Sequence, residues 1–519
     1  MFSTKRLSSH ALSRPRHALG RDETAAPIDL PLAADRIVHR STPMNPSPTA
    51  AALTERAWPL EDGDEALSAP FIDVDEWRET PVRHRYVRGG FAGTDTLFSF
   101  YFPEPETYEG RFFQHVTPVP QSENLGPADT GAYNKIAFSI DSGAYFVETN
   151  GGGPRAADRS SGLDPPNGAY RASAAAARFS RSVASVVYRR DHRPFGYLYG
   201  GSGGAYRTLG SSESTRGVWD GFAPYVPGSD MSIPNVFSVR MHAMRILRDV
   251  LPQIVEAYDV GGDPATLTLT TEQSAALDEV TRMGFPPRSC FGWKTMGMHG
   301  FSVLYPAVMA ADPTFATDFW SGQGYLGADP HSSVHRDPVT LDTTIAELLE
   351  DAGASERDRV AGGVDESFLQ QNGKVASTVR LDDARTGWIL GAQLLVSSGA
   401  AAGSVLRLSG VDGDLAHLEP GQDHVVHALL PGDAVTLDNS SFLAAQTYHR
   451  HQVPGPEYTA WDQFRGTKGR PTFPQRPMLL GPLFTRGTAG TVPTGAISGK
   501  MIMVACLLDR EAYPWQADW

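Results

Sequence analysis

Residues 195–209 read FGYLYGGSGGAYRTL, a compact apolar run that leads directly into two glycines, a serine, two more glycines and a helix-forming stretch. Phe195 to Tyr199 predicts a short buried strand, and Ala205 to Leu209 predicts the opening turns of a helix. Between them, Gly200-Gly201-Ser202-Gly203-Gly204 puts a serine on a sharp strand-to-helix turn. A side chain held there takes strained backbone angles and tolerates only small neighbours, which the four glycines supply. The helix N-terminus aims amide N–H groups at negative charge developing on a bound carbonyl oxygen. Ser202 is therefore the candidate nucleophile and the Gly203 amide a candidate oxyanion donor. The bare pattern is weak in a chain with 52 glycines, so the flanking strand and helix carry the reading. A phosphate loop or a plain tight turn is the competing one.

The same alternation extends outward from this turn. His84 to Phe102 reads as two strands, Arg111 to Val116 as another, and Ile136 to Val147 as strand-like. Ala172 to Tyr188 spaces Phe179, Val183, Val186 and Val187 on one helical face. Strand and helix in alternation predict an α/β fold with a mostly parallel sheet. After Ser232 a long amphipathic helix is expected over Val236 to Tyr258, kinked at Pro252, and Thr270 with Gln273 resembles a capping box. Residues 375 to about 447 read as strands broken by Gly410, Gly413, Pro420-Gly421 and Pro431-Gly432. Lys500 to Leu508 reads as a continuous buried strand. The expected organisation is a disordered leader over 1–69, a core over 70–231, and a helical lid over 232–374. A β-rich insertion over 375–490 and a return to the core over 491–519 complete it.

Length gives a prior of roughly three domains at about 150 residues each. The longest clean apolar run, Met501 to Leu508, is far short of the roughly 20 residues that span a bilayer, so no membrane span is expected. Forty-five basic against 59 acidic side chains leave a net charge of −14, which argues against nucleic acid as the main partner. Two cysteines, Cys290 and Cys506, exclude a disulfide scaffold and a cysteine zinc site. The leader carries Lys5, Arg6, Arg14, Arg16 and Arg21 but no apolar core of a secretory signal, and a cytoplasmic location is the expectation.

The stretch around Ser202 resembles the nucleophile elbow of the α/β-hydrolase superfamily, and the plan with a large insertion after the sixth strand resembles its tannase and feruloyl-esterase branch. The resemblance covers roughly residues 80–230 and 490–519. That branch carries a cysteine beside the nucleophile where this chain has Gly201. The resemblance implies a serine-dependent hydrolase of carboxylic esters that works through an acyl-enzyme, needs no cofactor and takes a small-molecule ester. Phe195 to Tyr199 would be the fifth strand, Phe222 to Val226 the sixth and Lys500 to Leu508 the seventh. It places the acid at Asp509, with Asp220 and Asp230 as competitors and an ordinary helix cap as the alternative role for Asp509. The second oxyanion donor would come from the loop after the third strand, where prolines 118 and 120 cannot donate; Val116 is the choice and Thr117 the alternative.

The resemblance also implies a histidine beyond an eighth strand, yet none of the ten residues after Asp509 is histidine. Three readings follow: the chain stops short of the segment bearing the base, His449 or His451 of the lid reaches Ser202, or the protein is not a serine hydrolase in this form. The first predicts weak esterase activity, an exposed sheet edge and self-association. A catalytically inactive, hydrolase-like binding protein is the alternative function.

The histidine pairs His331/His335, His424/His427 and His449/His451 lack a metal-ligand pattern and read as exposed loop residues, so no metal is assigned. Asp412 and Asp414 start like a calcium loop, but Ala416 and His417 break the pattern and a β-turn is expected. Met and aromatic residues over 283–301 read as lid core or as the lining of an apolar pocket.

Overall fold

The computed structural model describes residues 50–54, 58, 64–118, 122–129, 131–153, 170–228, 233–293, 301–349, 378–419, 422–482, 485, 489–490, 492–507, 509 and 512–518. An eight-stranded sheet runs β1 (Pro70–Arg78), β2 (His84–Phe91), β3 (Leu97–Phe102), β5 (Ala144–Thr149), β4 (Arg111–His115), β6 (Phe195–Ser202), β7 (Gly221–Pro227) and β13 (Lys500–Met501) in spatial order. β1 to β3 form an antiparallel meander, and β3 pairs antiparallel with β5. From β5 to β13 every pairing is parallel. The fold is mixed α/β with a parallel-rich sheet, and β6 lies inside it between β4 and β7.

Phe112, Leu198 and Phe222 share a fully apolar core with Phe98, Phe100, Phe179 and Val183. The last two lie on α3 (Ala172–Tyr188), whose limits agree with the sequence reading and whose C-cap, Arg189, adopts the left-handed conformation at φ 51°. Helix α1 (Ala50–Thr54) adds Leu53 to this core, and Leu67 joins it, so packing starts inside the segment expected to be a disordered leader. The rest of the leader lies outside the described residues. On the other face α2 (Lys135–Asp141) packs against β5, with Ile136 among Tyr86, Tyr101 and Phe146. The strand expected over Ile136 to Val147 is thus half helix. Asn134 caps it, its side-chain oxygen accepting from the Ala137 amide at 2.8 Å, and this local signal outweighs the β-prone residues that follow.

Helix α4 (Gly203–Ser214) follows β6 without a loop, and β7 leads into a helical region. The single helix expected over Val236–Tyr258 is two, α5 (Ile233–Leu247) and α6 (Leu251–Tyr258), with Pro252 in the first turn of the second rather than at a kink. Helix α7 (Thr271–Arg282) has both bonds of the expected capping box, Thr270 with Gln273. Residues expected to be helical through 374 instead enter a strand at Thr340. β8 (Thr340–Leu349), β9 (Thr378–Ile389), β10 (Gln393–Val396), β11 (Val405–Leu418) and β12 (Ala434–Asp438) close into an antiparallel barrel in the order β10-β11-β9-β8-β12. Asp412 and Asp414 lie in β11 at an irregularity of its pairing with β9, not in a turn, and Gly413 between them takes φ 65°. After the barrel the chain rejoins the helical region, where Phe442, Leu443 and Tyr448 pack with Phe301, Tyr305, Phe315 and Phe319.

The seventh strand departs most from expectation. Only Lys500–Met501 pair as a regular strand, with one further bridge from Val504 to Tyr225. Ile502 is 72 % exposed and Leu507 84 %. The apolar run is a sheet border, not a buried strand.

Candidate active site

Ser202 ends β6 at φ 53° and ψ −119°, a conformation that L-residues rarely hold. Its neighbours explain how it is kept there. A Cβ on Gly200 would stand 2.6 Å from the Val116 carbonyl oxygen, and one on Gly204 2.3 Å from the same atom. A Cβ on Gly203 would lie 3.0 Å from the Pro118 carbonyl oxygen. The elbow and the turn after β4 are therefore packed backbone against backbone. A Cβ on Gly201 would meet the Tyr225 ring at 2.3 Å. Tyr225 fills the space that a side chain at position 201 would need.

The structure thus brings Ser202, Gly203 and the turn at 116–118 together at the carboxyl edge of the sheet. Gly203 begins α4, so its amide is at the positive end of that helix. Val116 requires a correction as an oxyanion donor. Its N–H donates to the Tyr199 carbonyl at 3.0 Å, prolonging the β4–β6 pairing, and is committed to the sheet. Thr117 is the next residue in the turn, and its carbonyl accepts from Arg207 Nη1 at 2.8 Å. Arg207 is 2 % exposed on α4 and ties the helix to the turn. Sequence reasoning missed this residue; an arginine in the first turns after the elbow was the available signal.

Asp509 lies five residues beyond Val504, which bridges Tyr225 beside Gly201. Its Oδ1 accepts from the Ala512 amide at 2.6 Å, a capping interaction ahead of the short helix Trp515–Asp518. Asp220 is not near the end of the sixth strand. It precedes β7, where it pairs with Arg193 and accepts from the Gly196 amide at 2.8 Å, at the opposite end of the sheet from Ser202. Asp230 lies outside the described residues.

His449 and His451 are fully buried, not exposed loop residues, and sit in the 3-10 turn Tyr448–His451. His449 Nε2 donates to Glu279 Oε1 at 2.6 Å, and its Nδ1 lies 3.2 Å from the Ser238 hydroxyl. Arg450 donates to both Glu279 oxygens and, at 2.9 Å, to His242 Nε2. Burial pushes the Glu279 carboxyl up, but Arg450 and His449 together hold it well below the carboxylate range. Burial likewise pushes the His242 imidazole well below its ordinary value and lowers that of His449, against the opposing pull of Glu279. Hydroxyl, imidazole and carboxylate line up here as in a catalytic triad, yet Ser238 is fully buried within α5 and no carbonyl substrate can approach it. With both ring nitrogens engaged, His449 is a structural imidazole. Among the described residues, Ser202 Oγ has no hydrogen-bonded imidazole.

His451 stacks on Tyr325 at 4.5 Å between ring centroids, and its Nδ1 donates to the Pro474 carbonyl at 2.6 Å. Burial lowers its pKa from an ordinary 6.5 to about 4. Between these values the unfolded chain binds a proton that the folded chain refuses, so stability falls as pH drops from 6.5 toward 4. Relative to a His451→Phe variant, wild type should therefore lose roughly 2–3 kcal/mol between pH 7 and pH 4 in urea unfolding. A difference independent of pH would contradict the burial argument.

The other histidine pairs, His331/His335 and His424/His427, are exposed. Among the described residues no group of three His, Cys, Asp or Glu side chains is placed to hold a metal ion, and no helix is long and apolar enough to cross a membrane. Met283 and Phe285 are core residues beside Trp461, Phe464 and Tyr513; Met296 and Met298 lie outside the described residues.

No family model matches the chain, and no curated protein does. Among solved structures, it is similar to tannin acyl hydrolase from Aspergillus niger, with 15 % identity over 40 % of this chain and 43 % of that one, at a TM-score of 0.29. It is also similar to feruloyl esterase B from Aspergillus oryzae, with 13 % identity over 41 % and 52 % and a TM-score of 0.30. An esterase from Aspergillus oryzae aligns over 87 % of this chain and 74 % of its own at 11 % identity and a TM-score of 0.33. The chain thus spans about half the length of the first two. At TM-scores this low, the likeness by itself assigns neither the fold nor an activity.

Proposed function

We propose that the protein is a serine-dependent hydrolase of carboxylic esters, with Ser202 as nucleophile. The observation that carries this reading is the strained Ser202 backbone between a central parallel strand and a helix N-terminus. Such strain persists only where the surroundings over-determine it, and it lifts a hydroxyl clear of the sheet for attack on a carbonyl. The Gly203 amide would hold the oxyanion, and Thr117 replaces Val116 as the candidate for the second donor. Asp509 is the proposed acid, by its position in the chain shortly after the border strand. The base is proposed to be a histidine other than the engaged His449. Acyl transfer through serine needs no cofactor.

A chromogenic short-chain aryl ester tests the assignment. Turnover by the chain should fall at least about 10³-fold in Ser202→Ala, the scale of losing a nucleophile. Turnover surviving that substitution removes Ser202 from the chemistry. The second reading, a hydrolase-like binding protein without catalysis, is favoured by the lack of an imidazole bonded to Ser202 among the described residues. It predicts no turnover in either form.

A further inference from the structure

Among the described residues, three that are not glycine hold a positive φ: Arg189 at 51°, Ser202 at 53° and Val226 at 41°. Arg189 caps α3, and a left-handed residue commonly ends a helix. Ser202 is the elbow. Val226 has neither reason. It lies within β7, and its branched Cβ makes it the least suited of the three to that conformation.

Its place in the sheet supplies a reason. β6 and β7 pair in regular parallel register from Tyr197 with Gly221 to Gly201 with Tyr225, and then Ser202 stands opposite Pro227. Val226 is therefore the extra residue of a bulge whose other side is Ser202. It is 3 % exposed, and its N–H donates to the Val504 carbonyl at 2.7 Å, on the side of β7 away from β6. On the rung before it, the Tyr225 ring is packed against Gly201. Pro227, on the rung after it, has no N–H to give a ladder. Neither Val226 nor Pro227 thus donates to β6 at the point where β6 has to leave the sheet for α4. A bulge beside a functional site ends pairing or re-aims a side chain in this way.

We propose that Val226 is a positioning residue for Ser202: its bulge releases Ser202 from the ladder and holds it in the strained conformation of the elbow. Strain persists only where the surroundings over-determine it, and here the two strained residues face each other across one rung. They share one constraint, so relaxing either relaxes the other. The consequence for reactivity rests on Ser202 being the nucleophile; the coupling between the two strands does not.

A thermodynamic cycle in urea reads that coupling without any need for activity. In wild type, Ser202→Gly should raise the folding constant about 5-fold by relieving the strain at 202. In a chain from which Val226 is deleted, β7 passes Ser202 in regular register and that strain is gone. There the same substitution should lower the folding constant by about 2- to 5-fold, the ordinary cost of glycine in a strand. Val226→Gly keeps the length of β7 but frees its backbone. It should cut the gain from Ser202→Gly to below about 2-fold, and it decides the matter if the shortened chain does not fold. An effect of Ser202→Gly equal in size and sign in every background would overturn the proposal. Labelling of Ser202 by a fluorophosphonate should also slow at least about 10-fold in Val226→Gly, toward the roughly 10²-fold that a misplacement of about 1 Å costs. Undiminished labelling there would overturn the positioning role even with the coupling present. A wild-type chain that shows the coupling but takes no label would support the bulge and contradict the nucleophile assignment, so the two failures are distinct.

Discussion

Gly204→Ala is expected to destabilise the protein by about 3 kcal/mol, the upper part of the usual overpacking range. The added methyl would stand 2.3 Å from the Val116 carbonyl oxygen. That atom cannot yield as a side-chain tip would, because the Val116 amide is bonded to Tyr199 and the Thr117 carbonyl to Arg207. Relief requires the turn at 116–118 and the start of α4 to separate, which would also pull apart the two proposed oxyanion donors. Urea unfolding measures the first effect. Gly217→Ala, at a positive-φ glycine with open space around it, provides a comparison in which only backbone strain is added. Equal costs at the two positions would mean that the close approach at the elbow is not the constraint described.

Ser202→Gly should have effects of opposite sign on stability and reactivity. Holding a serine at φ 53° and ψ −119° costs about 1–3 kcal/mol, whereas glycine visits positive φ freely. Part of that relief is offset by the greater entropy of glycine in the unfolded chain, leaving a gain of about 1 kcal/mol. All serine-directed reactivity should disappear with the hydroxyl. A variant that is both less stable and equally reactive would show that the elbow strain has been misread.

The elbow was legible in the sequence because its constraint is local. Four glycines around one serine, between a strand and a helix, leave few alternatives, and the span of α3 and the Thr270 capping box were readable for the same reason. The Val116 amide was not legible: whether a strand-end N–H faces a ligand or the neighbouring strand depends on one residue of ladder length. The strand at Thr340 gave no sign of its partners, since closing the barrel requires β8 to pair with β12 nearly a hundred residues later. His449 and His451 look like polar loop residues until Glu279 and Pro474, both distant in sequence, provide partners for them. The run from Met501 misled for a different reason. Hydrophobicity records that a segment needs covering, not what covers it.

The central claim is that Ser202 is an activated nucleophile. It is tested most directly by treating the full chain with a fluorophosphonate probe and locating the adduct by peptide mass spectrometry. The account predicts one phosphonylated residue, Ser202, with no labelling of Ser202→Ala and undiminished labelling of Ser238→Ala, whose hydroxyl is sealed within α5. An unlabelled wild-type chain, or an adduct on any residue other than Ser202, would contradict it.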